Sequence, residues 1–387
     1  MEMFEKGSFG YDLDFLKKYH PDLVLLSDEA QQAQLIVLPA YQGRAMTSTL
    51  EGVSGASFGW VNHDFIASGS PAEHMHVFGG EDRFWMGPEG GQFSIFFKKG
   101  VPFDFEHWFV PKELDTEPFN LIESTRKEAR LEKTMRLENY SGTVFDLSVQ
   151  RNIRLLDRKE IEILPGIPLP EDLKMVCFES ENILTNTGNK AWDKDSGLLS
   201  IWIASMLNAS PGTTVAIPYR QGDDPALGKI VTDDYFGKIP PERLQVADGL
   251  ILFRADGQQR GKLGIAPTRA LPVAGAWDAE NKVLTLAQFS LPAGATDYVN
   301  ALWELQAEPF AGDVINSYND GPNDTGTQMG AFYELESSSP AAALPPGASI
   351  RHLHRTMHLK GSLAALDELA QQILGASLSR IQSRISE

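Results

Sequence analysis

Two glutamates separated by a single residue lie within an apolar stretch near the C-terminal end of the chain. Glu334 and Glu336 belong to the segment 330–336, Gly-Ala-Phe-Tyr-Glu-Leu-Glu. In a β-strand, residues two apart point to the same face, so both carboxylates would share one face. Burial of an ionised carboxylate is costly unless a partner stabilises it. The pair could therefore bind sugar hydroxyls or transfer protons, or it could form ion pairs with Arg351 or Arg355 of the next strand.

A second group of candidates lies in residues 74–91, where charged, aromatic and histidine side chains are flanked by paired glycines. The candidate ligand-binding residues are His74, His76, Arg83, Trp85 and Glu89, with His107 and Trp108 further along the chain. Paired glycines allow a backbone to approach a ligand closely. Aromatic rings contact the C–H face of a sugar, and carboxylate, Arg and His side chains bind its hydroxyls. In the alternative interpretation, Arg83 bridges Glu81 and Glu89, and the tryptophans belong to the core.

The same residues raise the question of a metal ion. His74 and His76 could share an ion with a carboxylate, and Glu89 or His107 could supply a third ligand. The polar segment 316–324 could bind calcium through oxygen atoms, although it lacks the spacing of an EF-hand loop. The pattern favours no metal and an Asx-rich turn before the Glu336 strand. We expect Asn319 and Asp320 in this turn to lie at the rim of the same pocket.

The stretch around Glu336 resembles the C-terminal end of the aldose 1-epimerases, or galactose mutarotases. That family has a Phe-x-x-Glu-Thr strand, a Leu-x-Pro-Gly turn and a last strand rich in His and Thr. The matching residues here are Tyr333 to Ser337, Leu344 to Gly347 and His352 to His358. Residues 74–85 also resemble the family's His-Gly-Gly turn. The resemblance implies a single large antiparallel β-supersandwich, a mono- or oligosaccharide ligand, and Glu336 as the catalytic base.

Two departures from the family pattern affect the expected chemistry. Phe78 precedes the Gly-Gly pair, where the family has a histidine, and Thr187 stands where the family has a second histidine. A threonine cannot act as an acid near neutral pH. If the protein is an aldose 1-epimerase-type isomerase, the resemblance therefore leaves His76 or His74 to protonate the ring oxygen. The pattern is closer to a bacterial branch of the superfamily than to the true epimerases.

Two other functions remain open at this stage. One is a non-catalytic carbohydrate-binding module that keeps the cleft without the second histidine. The other is a glycoside-cleaving enzyme that uses Glu334 and Glu336 as paired carboxylates. None of these functions needs an organic cofactor, and we expect none.

Periodicity predicts the elements that position these residues. Apolar and polar residues alternate closely along Val144–Leu155, as expected of a half-buried antiparallel strand. Similar runs occur at 35–38, 93–97, 282–289 and 351–359. The clearest predicted helix spans 363–385 behind Ser362, and a shorter one lies near 13–19. We expect one domain over residues 1–387, with an N-terminal extension (1–34), an all-β supersandwich (35–360) and a C-terminal helix (362–387).

Charge and composition exclude several classes of partner. With 34 basic and 52 acidic residues, the formal net charge of −18 repels nucleic acids and anionic membrane surfaces. No apolar run approaches membrane-spanning length, and the N-terminus lacks the apolar core of a signal peptide. We therefore expect a cytoplasmic protein if the chain is full length, and a periplasmic or extracellular one if a signal peptide was removed. The single cysteine, Cys177, excludes an internal disulfide and is expected to be a packing residue.

Overall fold

The structure, a computed structural model, describes residues 4–161, 168–323 and 325–383. Within these residues it contains eighteen strands and six short α-helices. The first nine strands are β1 (Val24–Ser27), β2 (Gln34–Leu38), β3 (Arg44–Thr49), β4 (Arg83–Gly87), β5 (Asn120–Ser124), β6 (Glu128–Glu138), β7 (Val144–Leu155), β8 (Lys174–Asn186) and β9 (Ser200–Asn208). The other nine are β10 (Thr213–Pro218), β11 (Leu244–Ala247), β12 (Leu250–Arg254), β13 (Gly261–Ile265), β14 (Val273–Asp278), β15 (Val283–Phe289), β16 (Ile315–Asn319), β17 (Phe332–Ser338) and β18 (Ser349–Lys360).

The strands form three antiparallel sheets. The largest sheet has ten strands in the order β11-β12-β10-β14-β15-β18-β8-β7-β6-β5. The second has five strands in the order β13-β16-β17-β9-β4, and the third contains β1, β2 and β3. Polar contacts between β17 and β18 show that the ten-stranded and five-stranded sheets face each other. Ser337 Oγ of β17, for example, lies 2.8 Å from His352 Nε2 of β18.

Side-chain burial alternates along the strands because one face of each strand packs in an apolar core. Along Val144–Leu155 the burial alternates as the sequence predicts, with Phe145, Leu147, Val149 and Ile153 fully buried. These side chains belong to a large apolar cluster that also contains Phe84 and Trp85 of the five-stranded sheet. The expected strands at 35–38, 282–289 and 351–359 are confirmed as β2, β15 and β18.

The expected strand at 93–97 is wrong. These residues form an irregular segment in which only Phe97 makes an isolated bridge, to Trp108. Ile95, Phe96 and Phe97 are all buried, so consecutive side chains enter the core instead of alternating between two faces. A short apolar run does not by itself distinguish a strand from a buried loop.

The helices lie outside the sandwich. They are α1 (Phe9–Tyr19), α2 (His63–Ser68), α3 (Lys112–Asp115), α4 (Asp224–Leu227), α5 (Leu363–Leu374) and α6 (Leu378–Ser383). The helix expected near 13–19 is confirmed and begins earlier, because Ser8 accepts a hydrogen bond from the Tyr11 N–H and caps it. Among the described residues, no helix is long and apolar enough to cross a membrane.

The C-terminal helix is present, but it is not continuous. α5 begins after Ser362, which caps it as expected, and ends at Gly375, whose φ of 72° is left-handed. Glycine adopts this conformation without steric cost, so it ends the helix before the apolar pattern does. Leu366, Leu369 and Ile381 pack with Trp277 on the ten-stranded sheet. Residues 384–387 of the expected helix lie outside the described residues.

Candidate functional site

The five-stranded sheet brings the predicted glutamates together with residues from four other strands. Directly opposed residues in antiparallel strands share a face. The row through Glu336 reads Gly264, Asn316, Glu336, Ala204 and Arg83, and the adjacent row through Glu334 reads Lys262, Tyr318, Glu334 and Met206. Both glutamates therefore lie on one face, as predicted. We call this surface the acidic face.

Glu336 is held by two donors that the sequence did not suggest. Its Oε2 atom accepts a hydrogen bond from Trp202 Nε1 at 2.7 Å and an ion-pair hydrogen bond from Lys262 Nζ at 3.1 Å. Its Oε1 atom is buried and has no hydrogen-bond partner among the described residues. The carboxylate is thus fixed through one oxygen, and the neighbouring Glu334 carboxyl group lies within hydrogen-bonding reach of Glu336 and can donate to it when protonated.

Glu334 makes a longer contact, with Arg83, and its carboxyl group is buried beside that of Glu336. Its Oε1 atom lies 3.5 Å from Arg83 Nη2, and the Arg83 guanidinium stacks 4.0 Å from the centre of the Trp85 ring. Burial raises the pKa of Glu334 well above its usual range; the nearby Glu336 carboxylate adds to this increase and Arg83 opposes it. The alternative interpretation, an ion pair with Arg351 or Arg355, does not hold, because these arginines pair with Glu181 and Glu179 on β8.

Lys262 supplies a positive charge among the carboxyl groups of the acidic face. Burial alone would lower the pKa of this amine, but the carboxylates of Glu336, Glu89 and Glu334 outweigh the desolvation and raise it. Glu89 belongs to the same group of charges: burial raises its pKa, and Glu336 contributes to the increase. The suggested bridge by Arg83 between Glu81 and Glu89 is replaced by the contact of Arg83 with Glu334.

A fourth carboxyl group completes the cluster. Asp313 Oδ2 accepts a hydrogen bond from the Tyr235 hydroxyl at 2.6 Å. Burial raises the pKa of Asp313 to about 6, although this hydrogen bond and Lys262 both lower it. The Asp313 carboxyl therefore exchanges its proton within the physiological pH range, as a general acid requires.

A small cavity opens among these side chains. Its volume is about 20 Å³, enough for about one water molecule. Its polar lining residues are Glu89, Ser200, Trp202, Tyr235, Lys262, Asp313, Asn316 and Ser338. The Glu336 side chain itself has no exposed surface. A sugar ring therefore reaches Glu336 only if a lining segment moves, such as the one that carries Tyr235.

The two predicted acids, His74 and His76, have other contacts. His76 Nδ1 lies 2.7 Å from Asp115 Oδ2, and His74 Nδ1 lies 2.7 Å from the Trp108 carbonyl oxygen. His74 also packs between Phe105 and Phe109. In the part of the chain that the structure describes, no hydrogen bond or ion pair joins either histidine to Glu334 or Glu336.

The remaining predicted ligands are spread over three places. Trp85 is buried beside Trp202 and Trp108, and the strand register places it on the acidic face next to Arg83. His107 is on the surface and pairs with Asp104. Asn319 and Asp320 organise a turn: the Asn319 side chain bonds the backbone of Gly257 and Gln259, and Asp320 accepts from the Tyr318 hydroxyl.

The structure also places the residues that the sequence suggested as metal ligands. Among the described residues, no group of three or more His, Cys, Asp or Glu side chains is arranged to hold an ion. Asp324, part of the suggested calcium segment, lies outside the described residues. Cys177 is buried within an apolar cluster, and burial raises the pKa of its thiol.

Sequence reasoning missed Lys262, Trp202, Tyr235 and Asp313. None of the four was among the candidate residues that the sequence indicated. Lys262 offered one signal, since it is a lysine inside a strand pattern, where a charged residue needs a partner. Its partner could not be identified without the pairing of β13 with β16.

Comparison with solved structures identifies the class of fold. The Slr1438 protein of Synechocystis sp. PCC 6803 superposes with a TM-score of 0.54 at 14% identity, over 94% of this chain and 100% of that one. A protein of Escherichia coli K12 proposed to be an aldose 1-epimerase superposes with a TM-score of 0.50 at 13% identity, over 88% and 99%. The chain therefore has the galactose mutarotase-like fold, and the expected all-β supersandwich with a C-terminal helix is confirmed.

Comparison of sequences identifies the family. The chain belongs to the family of unknown function DUF6786, whose sequence profile matches residues 7–385. No curated protein matches it in sequence.

Proposed function

We propose that the acidic face binds an uncharged sugar and catalyses opening of its ring at the anomeric carbon. The observation that carries this proposal is the Glu336 carboxylate. One of its oxygens is fixed by Trp202 and Lys262, and the other is buried and accepts no N–H or hydroxyl donor from the described residues. A base needs such a free oxygen to accept the proton of the anomeric hydroxyl. The resemblance to the aldose 1-epimerases supports the same role for Glu336.

Charge supports an uncharged substrate. Four carboxyl groups, those of Glu89, Asp313, Glu334 and Glu336, outnumber the three cations that act on them, Arg83, Lys229 and Lys262. A phosphate or carboxylate on the ligand would add to this excess of negative charge. A neutral sugar can instead donate hydroxyl hydrogens to the carboxylates, and aromatic rings such as Trp202 can contact its C–H surface.

Asp313 is our candidate for the acid that protonates the ring oxygen. It lines the same cavity as Lys262 and Trp202, the two donors to Glu336, and its pKa of about 6 keeps part of the population protonated near neutral pH. Glu89 is the second candidate, since it also lines the cavity and its pKa is raised. His74 and His76, expected to fill this role, have their imidazole contacts at Trp108 and Asp115 instead.

The test follows anomer exchange by polarimetry or NMR for a panel of free hexoses and pentoses. We expect the native protein to accelerate exchange and Glu336→Gln to abolish it, because Gln keeps the size of the side chain without the base. Glu132→Gln on the exposed side of β6 is the matched control and should retain full activity. Exchange that survives Glu336→Gln undiminished would contradict the role of Glu336.

Two further experiments separate the acids from the alternative functions. With Asp313 as the acid, the rate should fall as the pH rises above about 6, and Asp313→Asn should remove that dependence. His76→Asn and His74→Asn should leave the rate within a factor of about two, since a substitution remote from the reacting groups has little effect on the barrier. Calorimetric binding of a sugar without any exchange would favour the non-catalytic module.

Glycoside cleavage is the second candidate function, and one observation favours it. Glu89 has a raised pKa and lines the cavity, while Glu336 is held by Lys262. A protonated and an ionised carboxyl group near one ligand are the pair that glycosidases use. Release of reducing ends from short oligosaccharides, lost in Glu89→Gln, would support it over ring opening.

A further inference from the structure

The cavity beside the acidic face is much smaller than a sugar ring. Its volume is about 20 Å³, whereas a cavity of about 150 Å³ binds a benzene molecule. Besides strands and the residues that flank them, its lining consists of Val299, Ala301 and Tyr235. Since strand pairing fixes the rest of the lining, one of these two walls must move before a sugar can enter.

The wall that contains residues 299–301 is braced on both sides. The Gly312 N–H donates to the Tyr298 carbonyl oxygen at 2.9 Å. The Gln92 side chain donates to the Gln306 carbonyl oxygen at 2.8 Å and accepts from the Gln306 N–H at 2.9 Å. These bonds tie the wall to two other parts of the chain, so it is not the one that we expect to move.

The opposite wall, residues 233–238, is anchored only at its ends. Before it, Thr232 and Gly264 of β13 exchange two backbone hydrogen bonds of 2.8 and 2.7 Å. After it, Ile239 is buried in an apolar cluster. Among the described residues, no backbone–backbone hydrogen bond joins residues 234–238 to another segment. Side-chain contacts therefore hold the centre of this wall in place.

Two such contacts fix the centre, one on each side of the wall. Toward the cavity, the Tyr235 hydroxyl donates to Asp313 Oδ2 at 2.6 Å and lies 3.4 Å from Asn316 Nδ2. Toward solvent, the Phe236 ring is 47% exposed, and its centre lies 3.8 Å from the guanidinium carbon of Arg260. A hydrogen bond and an exposed cation–π contact each contribute little net free energy, so few interactions oppose movement of this wall.

We propose that residues 233–238 form a lid over the acidic face, latched by the hydrogen bond between Tyr235 and Asp313. A sugar that enters displaces the Tyr235 hydroxyl, and the Asp313 carboxyl group then faces the ligand. Entry of the substrate and release of the candidate acid are thereby one event. The inference rests on the proposed function for the identity of the ligand, whereas the opening of the lid is a property of the chain alone.

A thiol inside the cavity tests the lid without a ligand. Ser200 lines the cavity and is 1% exposed, and its Oγ atom has no hydrogen-bond partner among the described residues, so Ser200→Cys places a thiol there with little change in size. Ser205→Cys is the matched control: Ser205 is equally buried, also lacks a partner among the described residues, and lies on the opposite face of β9. The rate of modification by N-ethylmaleimide, a neutral cyclic reagent, is measured for both variants. The native protein, whose Cys177 is buried, gives the background.

The latch is then removed in both reporter variants. Tyr235→Phe keeps the ring and removes the hydroxyl, and we expect it to accelerate modification at position 200 by about fivefold, the effect of one ordinary hydrogen bond. Modification at position 205 should not change. Equal acceleration at both positions would indicate general loosening, and no acceleration at position 200 would mean that Tyr235 does not hold the lid. Either result would overturn the proposal.

A reversible tether tests what the lid does to the reaction. Phe236→Cys and Arg260→Cys, both at exposed positions, are combined and joined by a short bifunctional methanethiosulfonate. The same double variant capped with a monofunctional reagent is the control. We expect the tether to abolish anomer exchange, a reducing agent to restore it, and the control to retain it. Exchange that persists in the tethered protein would overturn the proposal. If the native protein exchanges no anomers, the proposed function fails, and the modification rates alone decide whether the lid exists.

Discussion

Asp82 and Arg83 are neighbours in the chain, yet they belong to two buried charge clusters of very different character. Asp82 points between the sheets, where it pairs with Arg151 at 2.5 Å, and neither side chain has exposed surface. Arg83 points to the acidic face, where it lies 3.5 Å from Glu334. Consecutive residues of an extended chain point to opposite faces, so one of these neighbours belongs to a structural ion pair and the other to the candidate active site.

The two clusters differ in how their charges are matched. Asp82 also accepts a hydrogen bond from Ser180, and Arg151 also donates to Asn182, so one anion and one cation are held by further polar groups. On the acidic face and around its cavity, four carboxyl groups share three cations, Arg83, Lys229 and Lys262. A matched, closed pair stabilises one conformation, whereas an excess of one charge shifts pKa values and leaves bonding capacity for a ligand.

The largest effect should follow from breaking the matched pair. Arg151→Met leaves the Asp82 carboxylate buried without a cation, and we expect a loss of about 3–5 kcal/mol in the free energy of unfolding. Urea denaturation measures it. Arg154→Met, on the same strand but in a partly exposed ion pair, should cost less than about 1 kcal/mol. Similar losses in both variants would mean that the buried inter-sheet pair contributes no more to stability than the partly exposed pair does.

Removal of Lys262 should have a smaller and pH-dependent effect. Lys262→Met leaves the acidic face without its central cation, and we expect a loss of about 1–3 kcal/mol near pH 8. The loss should shrink toward pH 5, because carboxyl groups that stay protonated in the folded state no longer repel each other. Lys194→Met, in an exposed ion pair with Asp297, serves as the control. A loss that does not depend on pH would contradict the charge coupling.

The Tyr235 hydroxyl should tune the proton of Asp313. Tyr235→Phe removes the hydrogen bond to the ionised carboxylate, so the pKa of Asp313 should rise above about 6, and stability should fall by about 1 kcal/mol. Carboxyl-carbon NMR titration measures the pKa. Because the folded pKa exceeds the ordinary value of 3.8, the contribution of Asp313 to stability is complete below that value and is lost as the pH rises toward 6. An unchanged or lower pKa in the variant would contradict this coupling.

The smallest effect should come from Glu334. Its raised pKa means that the contribution of this carboxyl group to stability is lost as the pH rises above its ordinary value of 4.5. Glu334→Gln has no such loss, so we expect it to lie within about 1 kcal/mol of the native protein and to gain relative to it from pH 5 to pH 8. Asp82→Asn, the matching change in the other cluster, should be strongly destabilising. If Glu334→Gln lowered the free energy of unfolding more than Asp82→Asn, the proposed difference between the two clusters would be wrong.

Local pattern was sufficient for most of the fold. The alternation along Val144–Leu155 reports burial on one face, and this is a property of neighbouring residues, so β7 could be predicted. The segment 93–97 could not, because its burial comes from contacts with distant residues such as Trp108 and not from a strand partner. Gly375 is a residue type that commonly ends helices, and it ends α5 here. The apolar pattern continues past it, so the sequence predicted one continuous helix.

By itself, the sequence determined that Glu334 and Glu336 share a face, since the period of a strand is two residues and requires no knowledge of its neighbours. It also carried the resemblance that assigns a role to Glu336. Only the tertiary structure decided which groups surround them. Lys262 reaches Glu336 through strand pairing, Asp313 lines the cavity beside Lys262, and the imidazoles of His74 and His76 contact Trp108 and Asp115 instead. The physical reason is that charge partners are chosen by spatial proximity, which the register of distant strands sets and the spacing of residues along the chain does not.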